Sequence, residues 1–231
     1  MRQLAPLYIS IFLLLFWSNS IAQTTIKIDS SYHNWYYQQR MELYNQIPPI
    51  KHNIVFLGNS ITEKGEWQEL LPEFTVANRG IGGDNTFGVL ARLDNIIALQ
   101  PEHLFICIGI NDLGRGLPVE TIVKNHNRII QKLKNQLPQT KIYIQSILPL
   151  NEEVLKYDYL KNKGGSIIKL NHHLQILCKN RGITFVEINK IMSTPTGELK
   201  KELTIDGIHL KPEAYFLWAE YLNNNFLRTT Y

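Results

Sequence analysis

This sequence of 231 residues has only two cysteines, few charged residues and no hydrophobic run long enough to cross a membrane. Its 19% charged and 44% hydrophobic residues are ordinary for a globular chain, which excludes disordered and collagen-like proteins. The longest apolar run, from Leu7 to Trp17, has 11 residues, whereas a membrane-spanning helix needs about 20. Because no repeat, low-complexity tract or linker follows, we expect one domain after the N-terminal leader.

The leader has the three parts of a secretory signal. Arg2 precedes the apolar run, and Ser20-Ile21-Ala22 provides a small-x-small cleavage site. We expect a signal peptide over residues 1–22, cleaved after Ala22, and a single domain over residues 23–231, which is 231 − 22 = 209 residues. The mature protein would be periplasmic or secreted, without stable insertion in a membrane. An uncleaved anchor is the alternative, although 11 apolar residues make a poor one.

Charge and cysteine content exclude other classes of function. Without Arg2, the 24 basic residues become 23 against 20 acidic residues, and this net charge of +3 is too small and too scattered to predict nucleic-acid binding. Cys107 and Cys178 could pair in an oxidising compartment. Cys107 nevertheless lies in an apolar, strand-like run, where a buried free thiol is the commoner state.

Short apolar runs alternate with helical patterns along the mature chain. The pattern predicts five strands, Ile54–Leu57, Phe74–Ala77, Leu104–Ile110, Ile142–Ile147 and Thr184–Ile188. It predicts a leading helix from Tyr32 to Gln46 and later helices at Thr86–Leu99, Val119–Leu137, Ser166–Arg181 and Pro212–Leu227. Strands that alternate with helices and are apolar throughout favour a parallel five-stranded sheet in a three-layer α/β/α sandwich.

Folds of this class bind ligands beyond the carboxyl ends of their strands. Four segments with polar groups lie just past apolar runs or in the last loop, namely GNSIT at 58–62, NRGIGGDNT at 78–86, GIND at 109–112 and DGIH at 206–209. We therefore expect the functional residues among these four segments.

Two of the segments contain the groups of a nucleophilic hydrolase. Ser60 follows Gly58 at a predicted strand-to-helix turn, although a serine there is often only a helix N-cap. His209 follows Asp206 by three residues in a glycine-containing loop, where a capping Asp and a surface His are the simpler alternative. Together, a hydroxyl, an imidazole base and a carboxylate that orients the base would form a catalytic triad.

The glycine-rich segment does not fit a dinucleotide site. A G-x-G-x-x-G motif that begins at Gly80 needs glycine at position 85, where Asn85 stands. The Ser60 and Gly83 amides and the Asn111 side chain could instead stabilise the oxyanion of a tetrahedral intermediate. The histidines show no metal-ligand spacing, so we expect neither a metal nor another cofactor.

In their order, spacing and flanking strands, the four segments resemble those of the SGNH hydrolases, the GDSL-type esterase and lipase family. Each segment alone is a weak signal, but all four in this order are specific, and the resemblance extends from about residue 53 to about residue 223. It implies a flavodoxin-like sheet, Ser60, His209 and Asp206 as the catalytic triad, and Ser60, Gly83 and Asn111 as the oxyanion hole.

The first segment departs from the family pattern, since Asn59 stands where the name-giving motif has Asp. Asn and Asp are nearly isosteric, and GNSIT resembles the variant of acetylhydrolase-like members, so we interpret the position as structural. The ordinary α/β-hydrolases are disfavoured because Thr62 replaces the second glycine of G-x-S-x-G.

These expectations describe an exported serine esterase that acts on a small-molecule or glycan ester. The acetylhydrolase-like first segment favours a carbohydrate O-acetylesterase. A lysophospholipase or thioesterase is the first alternative, and a carbohydrate-binding protein that has lost catalysis is the second. Specificity would depend on the loops at residues 113–117 and 150–165, whose shapes the sequence does not determine.

Overall fold

The computed structural model describes residues 28–228, so the signal peptide predicted over residues 1–22 lies outside the described residues. Its five strands are β1 (Ile54–Gly58), β2 (Val76–Gly80), β3 (His103–Cys107), β4 (Lys141–Gln145) and β5 (Thr184–Val186). They pair in parallel in the order β2-β1-β3-β4-β5. This is the flavodoxin-like order, and it confirms the predicted parallel sheet.

Helices cover both faces of the sheet. The α-helices are α1 (Trp35–Gln46), α2 (Ser60–Glu63), α3 (Trp67–Leu70), α4 (Thr86–Ala91), α5 (Leu93–Ile97), α6 (Ile110–Gly114), α7 (Val119–Gln136), α8 (Gly164–Arg181), α9 (Ile188–Met192) and α10 (Pro212–Leu222). Helix α7 packs against α4, α5 and α8, whereas α10 packs against α3 and α9. The predicted three-layer sandwich is therefore confirmed. Within residues 28–228, no helix combines the length and the apolar character needed to cross a membrane.

The core lies between these helices and the two central strands. Every residue of β1 and β3 is buried, as expected for parallel strands covered on both faces. The Phe56 ring stacks between Trp67, at 4.0 Å, and Phe105, at 5.3 Å. This close packing holds the carboxyl end of β1 in place, and Ser60 lies two residues after the last residue of that strand.

The predicted helix at 86–99 is interrupted at Arg92. This residue has φ −112° and ψ 14°, which are not helical, and α4 ends before it while α5 begins after it. Its guanidinium group is buried, and it donates to the backbone oxygens of Arg79 and Gly58 and to the Asp84 carboxylate. These three contacts favour the break. The hydrophobic periodicity of the sequence does not reveal them, because their partners lie outside the predicted helix.

Strand ends also differ from the prediction. Strand β2 ends at Gly80, three residues beyond the predicted end at Ala77. The polar Asn78 side chain can lie within the strand because it donates to three backbone oxygens of the segment after β1. Strand β3 ends at Cys107, before Gly109 turns the chain with φ 141°. Helix α1 begins at Trp35 because the Asn34 side chain caps it by accepting from the Tyr37 amide.

The C-terminal helix is shorter than predicted. Helix α10 begins with Pro212 in its first turn, as expected, but it ends at Leu222 and continues as a π-helical turn over Asn223–Leu227. Two short 3₁₀ turns, Asp158–Leu160 and Lys201–Leu203, complete the described elements.

Candidate active site

Three of the four polar segments meet because their strands are neighbours. Ser60 follows β1 at the centre, Gly83 follows β2 on one side, and Asn111 follows β3 on the other. The Asn59 side chain caps α2 by accepting from the Ile61 amide, which agrees with a structural role for that position. The topology therefore gathers the predicted site residues at one edge of the sheet.

Ser60, His209 and Asp206 form a continuous chain of hydrogen bonds. The Ser60 Oγ lies 3.0 Å from His209 Nε2, and His209 Nδ1 lies 2.7 Å from Asp206 Oδ2. Asp206 Oδ1 also accepts from the His209 amide at 2.8 Å, which closes a short local loop. This is the geometry in which an imidazole can remove a proton from a hydroxyl while a carboxylate fixes its tautomer.

The environment of Asp206 favours its ionised form. Burial opposes the charge, but the hydrogen bonds from the side chain and amide of His209, and the charge of His209, outweigh it and hold the pKa of Asp206 below its ordinary value. Asp206 Oδ2 also accepts from the Tyr157 hydroxyl at 3.2 Å, and the Tyr157 ring packs edge-on against the His209 ring. Burial, with the Asp206 charge next, raises the pKa of Tyr157, so this phenol keeps the proton that it donates.

The 150–165 loop supports the histidine segment through its backbone. The Asn151 amide donates to Gly207 O at 2.9 Å, and the Lys156 amide donates to Asp206 O at 3.1 Å. The Thr204 hydroxyl donates to His209 O at 2.8 Å from within the segment. These bonds restrain the backbone of the segment that carries the imidazole.

The three predicted oxyanion donors belong to three different segments, each of which follows a neighbouring strand. Ser60 is the first residue of α2, so its amide has no partner within that helix. Gly83 is exposed, and its amide makes no hydrogen bond within residues 28–228. One hydrogen of the Asn111 side-chain amide bonds to Asp84 O at 2.8 Å, which leaves the other hydrogen for a ligand.

A buried network holds Asp112, the residue that follows Asn111. The Asp112 carboxylate accepts from the amide and hydroxyl of Thr86, and Asn125 donates to that hydroxyl at 2.8 Å. These bonds join α6, α4 and α7 beneath the crevice. Burial raises the pKa of Asp112 to about 6, even though the hydrogen bonds from Thr86 lower it.

Sequence reasoning did not identify three supporting residues, Tyr157, Glu63 and Arg92. The partners of Tyr157 and Glu63 lie 19 to 49 residues away along the chain, so no local spacing marks them. Tyr157 at least falls within the loop predicted to govern specificity.

In the part of the chain that the structure describes, the two cysteines and the histidines outside the triad make no contact with Ser60, His209 or Asp206 that would give them a catalytic role. Cys107 and Cys178 are both buried free thiols, and burial raises the pKa of each to about 12. Across residues 28–228, no group of three or more His, Cys, Asp or Glu side chains is placed to hold a metal ion. His172 is exposed on α8, and His126 is buried on α7.

Comparison with known proteins identifies the family of this chain. Residues 56–217, well over half of the sequence, match the model of the GDSL-like lipase/acylhydrolase family. The chain belongs to this family. This GDSL-like hydrolase therefore acts on ester bonds.

Several relatives of this GDSL-like hydrolase have names that describe their substrates. It is 26% identical over 170 residues to the platelet-activating factor acetylhydrolase IB subunit alpha2 of Gallus gallus, covering 71% of each chain. It is 32% identical over 137 residues to an N-acylneuraminate cytidylyltransferase of Streptococcus agalactiae, but that match covers 59% of this chain and only 31% of the relative.

Solved structures give the same fold. A protein from Streptococcus pneumonia, provisionally named a platelet activating factor, superposes with a TM-score of 0.74 and 32% identity over 82% of this chain and 92% of that one. An acetyl-xylooligosaccharide esterase from Geobacillus superposes with a TM-score of 0.59 and 18% identity over 77% and 95% of the two chains, which shows a shared fold alone.

Proposed function

We propose that this GDSL-like hydrolase is a serine esterase in which Ser60 is the nucleophile, His209 the general base and Asp206 the residue that orients the base. The observation that carries the proposal is the hydrogen-bonded chain itself, with 3.0 Å from Ser60 Oγ to His209 Nε2 and 2.7 Å from His209 Nδ1 to Asp206 Oδ2. No metal takes part in this mechanism, because the imidazole activates the nucleophile.

Acylation follows from that geometry. A bond forms between Ser60 Oγ and the ester carbonyl carbon, the hydroxyl proton moves to His209 Nε2, and the carbonyl electron pair moves onto oxygen. The Ser60 and Gly83 amides and the Asn111 side chain donate to this oxyanion. The intermediate collapses as the C–O bond to the alcohol breaks, and the imidazolium returns its proton to the leaving oxygen.

Deacylation repeats these steps with water. His209 takes a proton from the water as its oxygen attacks the acyl carbon, and the tetrahedral intermediate then expels Ser60 Oγ, which regains its proton from His209. The products are the alcohol and the carboxylic acid. Asp206 stays ionised throughout and stabilises the imidazolium in both halves of the cycle.

For the substrate we propose an O-acetylated carbohydrate. One relative is named an acetylhydrolase, and another is named for an acylated sugar, N-acylneuraminate. The rim of the crevice also offers an aromatic surface, since Tyr159 is 53% exposed and its ring lies 5.8 Å from that of Tyr157, which packs on His209. An exposed phenol ring can pack against the apolar face of a sugar while its hydroxyl group bonds to water or ligand.

The nucleophile is tested by Ser60→Ala. This variant should fold normally and lose p-nitrophenyl acetate hydrolysis by several orders of magnitude, and a fluorophosphonate should label the wild type at Ser60 but not the variant. Ser166→Ala, a change of the same type on α8 away from the triad, is the matched control and should retain full activity. A folded Ser60→Ala protein with near wild-type turnover would contradict the mechanism.

The substrate class is tested by comparing ester series. Acetylated xylose oligosaccharides should be hydrolysed with a higher kcat/KM than long-chain acyl glycerophospholipids or acyl thioesters. Tyr159→Ala should lower kcat/KM for the acetylated sugar about tenfold more than for p-nitrophenyl acetate, because only the sugar extends to the rim. A preference for long acyl chains would favour the lysophospholipase alternative.

We also propose that the enzyme is exported, on the sequence pattern of residues 1–22 alone. Expression of the full chain in a bacterium, followed by mass determination of the product outside the cytoplasm, tests this. The expected mature N-terminus is Gln23. An intact N-terminus on a protein that stays with the membrane would contradict cleavage.

A further inference from the structure

Glu63 connects three elements around the candidate oxyanion hole. It is the last residue of α2, three positions after Ser60. Its Oε2 accepts from the Gly82 amide at 2.9 Å, while its Oε1 accepts from the Tyr36 hydroxyl at 2.6 Å and lies 3.2 Å from Arg40 Nε. One carboxylate therefore joins the nucleophile helix to the turn after β2 and to α1.

Close packing of two backbones brings Glu63 to this turn. A Cβ atom on Gly80 would lie 2.2 Å from the Glu63 nitrogen and 2.5 Å from its Cα. Only glycine therefore lets the end of β2 lie directly against the end of α2. At that separation the Glu63 side chain, which is 17% exposed, reaches the Gly82 amide without an intervening water.

The turn itself presents the Gly83 amide. The Asp84 amide donates to Ile81 O at 3.1 Å, and Gly83 has φ 76°, the left-handed value of the third residue of a type II turn. Such a turn has an alternative in which its central peptide flips, and that flip would point the Gly83 N–H away from the crevice. The bond from Gly82 N–H to Glu63 fixes the preceding peptide and so restrains the turn.

Arg40 and Tyr36 hold the carboxylate in turn. The carboxylate accepts two hydrogen bonds, from the Tyr36 hydroxyl on α1 and from the Gly82 amide in the turn, and it forms an ion pair with Arg40. Arg40 also balances the negative charge, which would otherwise oppose an oxyanion nearby. The arrangement suits a group that sets geometry, because its charge is neutralised and its position is restrained on several sides.

We propose that Glu63 is a positioning residue of the oxyanion hole, which fixes the Gly83 amide relative to the Ser60 amide. This inference rests on the esterase function proposed above. Glu63 touches no reacting atom, and it acts by keeping two donors on different elements at a constant separation. Since misplacement of a catalytic group by about 1 Å costs up to 100-fold in rate, the restraint contributes to turnover more than to substrate binding.

The test compares variants of Glu63 with p-nitrophenyl acetate as substrate. Glu63→Ala should lower kcat about 10- to 100-fold and change KM by less than about twofold. Glu63→Gln should recover most of that loss, because its amide oxygen can still accept from Gly82. Glu69→Ala, on the exposed side of α3, is the matched control and should match the wild type.

A trifluoromethyl ketone separates positioning from general loss of structure. Its carbonyl carbon bonds to Ser60 Oγ while the proton moves to His209, and its oxygen becomes an oxyanion. Its inhibition constant should therefore rise in Glu63→Ala by the factor by which kcat/KM falls. If Glu63→Ala does not fold, Tyr36→Phe takes its place, with an expected threefold loss of kcat, about that of one hydrogen bond.

The two proposals fail in different ways. A wild-type protein that hydrolyses none of the esters would overturn the esterase function itself. An active wild type, with unchanged kcat and inhibition constant in folded Glu63→Ala or in Tyr36→Phe, would overturn the role of Glu63 alone. A rise in KM with kcat unchanged would also overturn it, since Glu63 would then affect substrate binding.

Discussion

The Asp206 carboxylate accepts hydrogen bonds at both of its oxygens. Its Oδ1 accepts from the amides of Ile208 and His209, and its Oδ2 accepts from His209 Nδ1 and the Tyr157 hydroxyl. Against burial, the hydrogen bonds from His209 and Ile208 and the charge of His209 hold the pKa of Asp206 below its ordinary value, so the group is ionised throughout the pH range in which an esterase works. The acid limb of the pH profile should therefore report the imidazole rather than this carboxylate.

Asp206→Asn tests that conclusion. The variant should lose roughly 10³- to 10⁴-fold in kcat, because the amide permits the wrong tautomer of His209. It should also move the acid limb of kcat/KM to lower pH, since the negative charge that stabilises the imidazolium is gone. The measurement is a pH profile of both proteins from pH 5 to 8. A limb displaced upward would mean that the two residues do not work as a pair.

Of the proposed oxyanion donors, Asn111 is the one whose donor group lies in a side chain, so a substitution can remove it. Asn111→Ala should lower kcat by roughly 10²- to 10³-fold and leave KM nearly unchanged, since the donor serves the transition state rather than the bound ester. Steady-state kinetics with p-nitrophenyl acetate measure both constants. A loss wholly in KM would instead assign Asn111 to substrate binding.

The residues predicted from sequence and those missed differ in how far away their partners lie. Asp206 and His209 are three residues apart in one loop, so their spacing could be recognised directly. Glu63 and Tyr157 contact groups from elements far along the chain, and only the packed sheet brings them together. The chemistry of the candidate site could therefore be predicted, whereas the side chains that restrain it could not.

At the scale of elements, hydrophobic pattern predicted each strand and long helix but missed local exceptions. The break between α4 and α5 occurs at Arg92, whose side chain is 1% exposed and forms a salt bridge with the fully buried side chain of Asp84. Burial raises the pKa of Asp84 to about 6, against the charge and hydrogen bonds of Arg92. A helical period carries no information on such a pair.

Arg92→Ala should be strongly destabilising. It leaves a buried carboxylate without its countercharge and removes donors to Arg79 O and Gly58 O, which should cost roughly 3 to 5 kcal/mol in the free energy of unfolding. Urea denaturation at pH 7 measures this. Lys132→Ala, which breaks the exposed pair with Asp94, is the control and should cost less than about 1 kcal/mol. Equal losses of unfolding free energy in the two variants would show that the buried pair stabilises the fold no more than the exposed pair does.

For the whole molecule, stability at acid pH depends on buried groups with opposite effects. His126 is fully buried, its Nε2 donates to Ile108 O at 3.0 Å, and its Nδ1 has no partner within residues 28–228. Burial lowers the pKa of His126 to about 4, against the bond to Ile108. The buried carboxylates Asp84 and Asp112 have pKa values raised to about 6, so the folded protein binds these protons at a higher pH than the unfolded chain does. Protonation of these two groups therefore stabilises the fold as the pH falls, opposite to the effect of His126.

The sign for His126 follows from proton binding. Between pH 6.5 and pH 4 the unfolded chain protonates this imidazole while the folded chain does not, so its contribution to stability is complete above pH 6.5 and is lost as the pH falls. The total loss is about 3 kcal/mol. Because the two aspartates mask it in the wild type, the quantity to measure is a difference between proteins.

The difference in free energy of unfolding between the wild type and His126→Gln should therefore become smaller as the pH falls. Glutamine can donate to Ile108 O as the imidazole does, but it binds no proton, so only the wild type becomes less stable through this position. Urea denaturation of both proteins at pH 7 and pH 4.5, with His172→Gln on the surface of α8 as control, gives the difference. The difference for His172→Gln should not change with pH. If the difference in unfolding free energy between His126→Gln and the wild type stayed constant, the folded protein would have to bind a proton at this buried ring as readily as the unfolded chain does.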